Sequence, residues 1–106
     1  MVNRLDLLLE YLQNEPHDEF LNYALAMEFQ KNNQLKEAIE QLEKLKEINS
    51  DYLATYYSLG KLYESIDNND SAIINYKKGV ELAKQQNNKK TLGELNEALM
   101  LLDTDE

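Results

Sequence analysis

Cysteine is absent from this chain, and proline, glycine, arginine and histidine are scarce: one, three, one and one among 106 residues. Without thiols there can be no disulfide, no thiolate zinc site and no cysteine nucleophile. Gly60, Gly79 and Gly93 lie far apart, so no glycine-rich loop is present to cradle a phosphate. Arg4 is the sole arginine in a chain of net charge −9, which argues against nucleic acid, because a phosphate-binding surface needs clustered Lys and Arg. Long apolar runs are missing too. The segment Leu5–Leu9 is short and broken by Asp6, so it cannot span a bilayer, and no basic segment with a small-residue cleavage site marks it for export. A cytoplasmic protein with no membrane partner is expected.

What is present suits a folded helical protein. The chain is 42% hydrophobic and 29% charged, unlike the composition of a disordered tail. Its length allows one domain that buries roughly two thirds of its unfolded surface. The charge is uneven: −3 over residues 1–18, −3 over 19–52, zero over 53–86 and −3 over 87–106. Net charge of this size favours solubility.

Hydrophobic periodicity divides the chain into six helices. Leu5, Leu8, Leu9 and Leu12 share one helical face, and Asn14 to Asp18, with the only proline, stop that helix. Asp18 can cap a second helix carrying Leu21, Leu25 and Phe29, which ends in the polar turn Lys31 to Gln34. A third carries Leu35, Ala38, Ile39, Leu42, Leu45 and Ile48, with a charged outer face on which Glu40 and Lys44 stand in the favoured order for an ion pair. After Asn49, Ser50 and Asp51, a fourth helix spans about Tyr52 to Ile66 with Tyr56, Leu59, Leu62 and Tyr63 inward. The turn Asp67 to Asp70 leads to a fifth with Ala72, Ile73, Tyr76, Val80 and Ala83 inward. Both hairpin turns hold Asn or Asp, the types that best tolerate a left-handed backbone after glycine. Gln85 to Lys90 is a polar break, Leu92, Leu95, Leu99 and Leu102 form a last amphipathic helix, and Asp103 to Glu106 is expected to fray.

A spaced set of large and small residues recurs through these helices. Tyr56, Leu59, Gly60 and Tyr63, then Ala72, Tyr76 and Gly79, are matched 34 residues earlier by Asn22, Leu25, Ala26 and Phe29, then Ala38, Leu42 and Leu45. A period of this length, split into two helix-length halves, marks a stack of helical hairpins that bury each other's apolar faces. Gly60 and Ala72 are expected to be small because two helices cross there, where a larger side chain would cost roughly 1–3 kcal/mol.

This set resembles the tetratricopeptide repeat family, whose first helix carries a bulky residue, a leucine, a small residue and an aromatic, and whose second carries a small residue, an aromatic and a small residue. The earlier unit departs from the pattern at Asn22, Leu42 and Leu45. The family's helix-ending proline is replaced by Ser50 and Lys84 and met once, at Pro16. The resemblance implies an all-α fold, a right-handed superhelical array of antiparallel helix pairs. It implies a single domain over 1–106: an N-terminal helix or half repeat at 1–17, repeats at 18–51 and 52–86, and a C-terminal capping helix and tail at 87–106.

Chemistry-bearing constellations are weak. His17, in a turn beside Asp18, reads as a solvated residue and not as a metal ligand or general base. Glu37 with Glu40, and Glu43 with Glu47, read as a charged face, since no histidine or ligand-rich loop accompanies them. Asp67 to Asp70 lacks the glycine and distal glutamate of a calcium loop. No nucleophile and base form a recognisable motif. The chain is therefore expected to be neither an enzyme nor a carrier of cofactor or metal.

Binding is the expected role. The resemblance implies a concave groove lined by the first helix of each repeat, which by register offers Phe20, Tyr23, Met27, Gln30 and Lys31, then Ala54, Tyr57, Lys61, Glu64 and Ser65. Of these, Phe20, Tyr23, Met27, Tyr57 and Lys61 are the expected partner-binding residues, for a short apolar or basic peptide or one helix of a partner protein. The basic clamp by which chaperone-binding members hold an acidic C-terminus has no counterpart here: its places hold Tyr23, Met27 and Ser58. The rival expectation is a scaffold that self-associates, as a homodimer, through the groove or through the last helix, where Met100 and Leu101 add a second apolar side.

Overall fold

The computed structural model describes residues 3–103. Among them it contains six α-helices and no strand: α1 (Arg4–Asn14), α2 (Glu19–Lys31), α3 (Leu35–Ile48), α4 (Ala54–Ser65), α5 (Asn69–Gln85) and α6 (Lys89–Asp103). The expected tail beyond Asp103 lies outside the described residues. The chain divides after Tyr52 into two compact units. In the first, α2 packs against both α1 and α3; in the second, α5 packs against both α4 and α6.

Helix starts follow the side chains that can accept from orphan backbone amides. Asn3 Oδ1 accepts from Asp6 N at 2.8 Å, Asp18 Oδ1 from Leu21 N at 2.8 Å, Asn68 Oδ1 from Ser71 N at 3.2 Å and Asn88 Oδ1 from Thr91 N at 3.1 Å. Gln34 precedes α3 without a side-chain cap, although its backbone (φ −94°, ψ 70°) nearly matches that of Asn68 (φ −99°, ψ 73°). The fourth helix begins two residues later than its sequence suggests. Asn49 Oδ1 accepts from Asp51 N at 2.9 Å, and Tyr52 N donates to Asn49 O at 3.2 Å, so a local turn holds Tyr52 out of the helix.

Helix ends follow one device used three times. Asn33, Asp67 and Asn87 take left-handed φ values of 60°, 61° and 56°. Just beyond each, an amide reaches five residues back: Gln34 N to Phe29 O at 2.8 Å, Asn68 N to Tyr63 O at 2.9 Å and Asn88 N to Ala83 O at 2.9 Å. This satisfies a terminal carbonyl and reverses the chain tightly enough to lay successive helices antiparallel. The two hairpin turns behave as their Asn and Asp predict, and the polar break before α6 is a third of the same kind.

The core of the first unit joins Leu8, Ala24 and Leu25, flanked by Leu5, Leu12, Leu21 and Phe29, while Ala26, Ala38, Leu42 and Leu45 are fully enclosed. That of the second joins Leu53, Tyr56, Ala72, Tyr76, Leu82, Ala83, Leu95 and Ala98. The small residue that matters most is Gly60: a Cβ built there would lie 2.1 Å from Tyr76 Cε1, so Tyr76, and not Ala72, fills the space it leaves. On the outer face of α3 the ion pair is Lys46 to Glu43 at 2.9 Å, in place of the expected Glu40 with Lys44. Residues three and four apart are both neighbours on a helix.

Asn22 is the buried polar residue that the repeat pattern reads as a defect. It is completely enclosed and fully bonded. Its Nδ2 donates to Pro16 O at 3.1 Å and Asp18 O at 2.7 Å, and its Oδ1 accepts from Gln41 Nε2 at 2.6 Å. One side chain thus ties the loop after α1, the start of α2 and the middle of α3 together, which offsets the cost of burying an amide.

Candidate partner-binding surface

The five expected binding residues fall on α2 and α4, the first helix of each repeat. In α2, Phe20 is 67% exposed and therefore not part of the core, while Tyr23 and Met27 are half-buried. The Tyr23 ring lies 5.8 Å from that of Tyr52, tilted by 39°, a favourable offset geometry for two aromatics. Tyr52 has its hydroxyl pKa raised by burial first, then by the neighbouring Tyr23, Glu19 and Asp18. Asn49 Nδ2 donates to Glu19 Oε2 at 3.0 Å, so the chain segment bearing Tyr52 is moored to the start of α2.

In α4, the structure brings Tyr57 and Lys61 together. Lys61 Nζ stands 5.5 Å from the centroid of the Tyr57 ring, within the reach of a cation–π attraction. Beneath, the Tyr57 ring is 6.1 Å from that of Tyr76, which is enclosed and donates its hydroxyl to Glu64. Burial, then this bond and the Glu64 charge, raise the Tyr76 pKa far above its ordinary value. The wider set of groove positions is partly used inside the chain: Glu64 is Tyr76's acceptor, and Ser65 Oγ donates to Lys61 O at 3.0 Å. Gln30 and Lys31 are exposed and Ala54 half-buried.

Two residues of these surfaces escaped the sequence. Tyr52 sits at a repeat boundary where the pattern has no aromatic, and only the turn built by Asn49 turns it toward Tyr23. Tyr76 was legible as core, but its role as the floor under Tyr57 needs the third dimension. The register does carry one signal in full: Tyr23 and Tyr57, and likewise Met27 and Lys61, are 34 residues apart, and all four remain half-buried or exposed while their neighbours Leu25, Ala26, Leu59 and Gly60 are buried.

The model of the tetratricopeptide repeat family matches residues 21–52 and 53–86, more than half of the chain. This chain belongs to the tetratricopeptide repeat family. A tetratricopeptide repeat domain protein from Salinibacter ruber is similar over most of both chains. Its solution structure is 42% identical, covering 86% of this chain and 92% of its own, with a TM-score of 0.81. Its crystal structure is 42% identical, covering 84% and 99%, with a TM-score of 0.79. The solution structure of a protein from Bordetella parapertussis, at 18% identity and covering 99% and 91%, shares the fold with a TM-score of 0.86. No curated protein matches the chain. As a tetratricopeptide repeat protein the chain is a protein–protein interaction module, built on a scaffold that is typically non-enzymatic. Among the described residues no helix is long and apolar enough to cross a membrane, and no three His, Asp or Glu side chains gather as a metal site.

Proposed function

We propose that this tetratricopeptide repeat module is an adaptor that binds a short apolar or basic peptide, or one helix of a partner, through the concave-face positions on the first helix of each repeat. Phe20, Tyr23 and Met27 serve on α2, and Tyr57 and Lys61 on α4. The observation that carries this reading is the repeated register: Tyr23 with Tyr57 and Met27 with Lys61 stay accessible in both repeats although the positions beside them are buried. Half-buried tyrosines cost little side-chain entropy to fix, and methionine adapts to irregular partners.

The test is affinity capture from native lysate with the Met27→Ala/Lys61→Ala variant beside the wild type. Met27 is half-buried and Lys61 exposed, and neither is among the buried core residues, so helicity by circular dichroism stays unchanged while capture is lost; capture equal to wild type refutes the assignment. Tyr57 is a poorer probe because it also packs on the core beside Tyr76. A second reading, self-association, draws on Met100 and Leu101 of α6, 61% and 59% exposed. Light scattering over a concentration series decides it: a monomer throughout ends that reading.

A further inference from the structure

The corner where α1 meets α2 forms an open cleft of about 450 Å³ lined by Tyr11, Asn14, Glu15, Asp18, Phe20 and Leu21. That volume falls within the range of about 300–1,000 Å³ in which proteins hold small ligands or single side chains. Only Phe20 of these was foreseen as a binding residue. Phe20 is the most exposed apolar side chain of α2, and Tyr11 is 49% exposed; neither belongs to the core of its unit. Two aromatic rings left open to solvent beside one depression are a fit lining for a cation, which the ring quadrupole attracts.

The rest of the lining points the same way. Glu15 and Asp18 supply two carboxylates, and no lysine or arginine lines the cleft. The corner between α5 and α6 shows that such a site need not be acidic. There the depression of about 190 Å³ is lined by Lys84 and Lys89 together with Ala83, Asn87, Asn88 and Leu92. The first unit, residues 1–52, also carries a charge of −6 against −3 for the remainder, so the field around the cleft favours a positive guest.

We propose that the α1–α2 cleft is a recognition site for a cationic side chain, arginine or lysine, of a partner protein. The Tyr11 and Phe20 rings receive its aliphatic stem and charged head, and the Glu15 carboxylate pairs with the head. Asp18 contributes negative potential while its Oδ1 stays committed to the Leu21 amide. The inference rests on the reading of the chain as a protein-binding module, and on no residue of α4.

The experiment is a titration of the isotope-labelled full chain, followed by amide chemical shifts, with four capped tripeptides: Ala-Arg-Ala, Ala-Lys-Ala, Ala-norleucine-Ala and Ala-Glu-Ala. The arginine and lysine peptides are expected to shift amides between residues 11 and 21 in a saturable way, and the other two to bind at least tenfold more weakly. Phe20→Ala and Glu15→Gln each weaken the cationic peptides severalfold without changing the helical spectrum. Asp18 is left intact because its loss would uncap α2. Equal binding of the norleucine peptide, indifference to both variants, or absence of shifts overturns the proposal. So does a change in the same amides on dilution of the protein alone, which would mean that a second copy occupies the cleft. If the cleft fails while Met27 and Lys61 still govern partner capture, the proposed function stands and only this site falls.

Discussion

Replacing glycine by alanine should act in opposite directions at two helical positions of this chain. Gly93 lies inside α6 with nothing within 4 Å of the place its Cβ would take. There the change only removes the flexibility of glycine in a helix, a gain of about 1 kcal/mol. Gly60 lies inside α4 and faces the Tyr76 ring, whose Cε1, Cδ1 and Cζ would stand 2.1, 2.5 and 2.5 Å from the new carbon. Carbons settle at about 3.5–4.0 Å, so the ring would have to withdraw by about 1.5 Å.

It has nowhere to go: Tyr76 is fully enclosed, its hydroxyl is held by Glu64, and Tyr57 packs beside it. Overpacking of this kind costs about 1–3 kcal/mol, and the rigid ring places Gly60→Ala at the upper end. Offset by the helix-propensity gain of about 1 kcal/mol, the net loss is about 2 kcal/mol. On the usual scaling of about 4–8 °C per kcal/mol for a domain of this size, the midpoint falls by about 8–16 °C. Paired thermal melts by circular dichroism read both variants. Adding Tyr76→Leu to Gly60→Ala reproduces the Ala26 and Leu42 found at the same register of the first repeat, and should recover much of the loss. A Gly60→Ala variant that melts as high as Gly93→Ala would refute the reasoning.

Three further outcomes follow from individual bonds. Asn22→Ala removes the acceptor of Gln41 and the donor to Pro16 and Asp18, and should cost about 1–3 kcal/mol in urea unfolding through the unpaired groups left behind. Gln34→Asn places a shorter amide on a backbone like that of Asn68 and should stabilise by about 1 kcal/mol, with Asn68→Ala losing a similar amount. Alkaline melts probe Tyr76. Its folded pKa is raised, so the neutral hydroxyl is the form the fold prefers. The associated stability is complete below the unfolded value of 10.0 and is lost as pH climbs beyond it. Tyr76→Phe should flatten that alkaline loss, and an unaltered alkaline slope would show that another group causes it.

Much of the fold was legible because the 34-residue register from Asn22 to Gly79 agrees with the 3.6-residue apolar period that runs from Leu5 to Leu102. Asn33 and Asp67 announced the left-handed turns by residue type alone. The start of α4 was not legible, because Tyr52 continues the helical pattern while Asn49 offers its side chain to the backbone nearby, and the local bonds win. Of the candidate surface, the accessible positions Tyr23, Met27, Tyr57 and Lys61 could be read from register. The Tyr52 partner, the Tyr76 floor and the α1–α2 cleft could not, since each joins residues from separate stretches of the chain with no sequence spacing in common.

The departures of the first repeat from the family pattern are better understood as exchanges than as decay. In the second repeat Tyr76 is large where Gly60 is small, and Tyr56 together with Leu95 of α6 is large where Gly79 is small: a Cβ on Gly79 would lie 3.0 Å from Leu95 Cδ1 and Cδ2 and 3.1 Å from Tyr56 Cβ. At the same registers the first repeat holds Leu42 with Ala26 and Asn22 with Leu45, all four fully enclosed. A glycine and tyrosine have thus been exchanged for an alanine and leucine in one pair, and a tyrosine and glycine for an asparagine and leucine in the other. The asparagine is satisfied by Gln41, Pro16 and Asp18. Close packing demands such compensation wherever a position is buried. Met27 against Lys61 is a difference of another kind. Met27 is half-buried and Lys61 exposed, so packing constrains them less than it does the enclosed pairs, and an apolar residue in one repeat and a cation in the next are free to differ as the proposed binding surface requires.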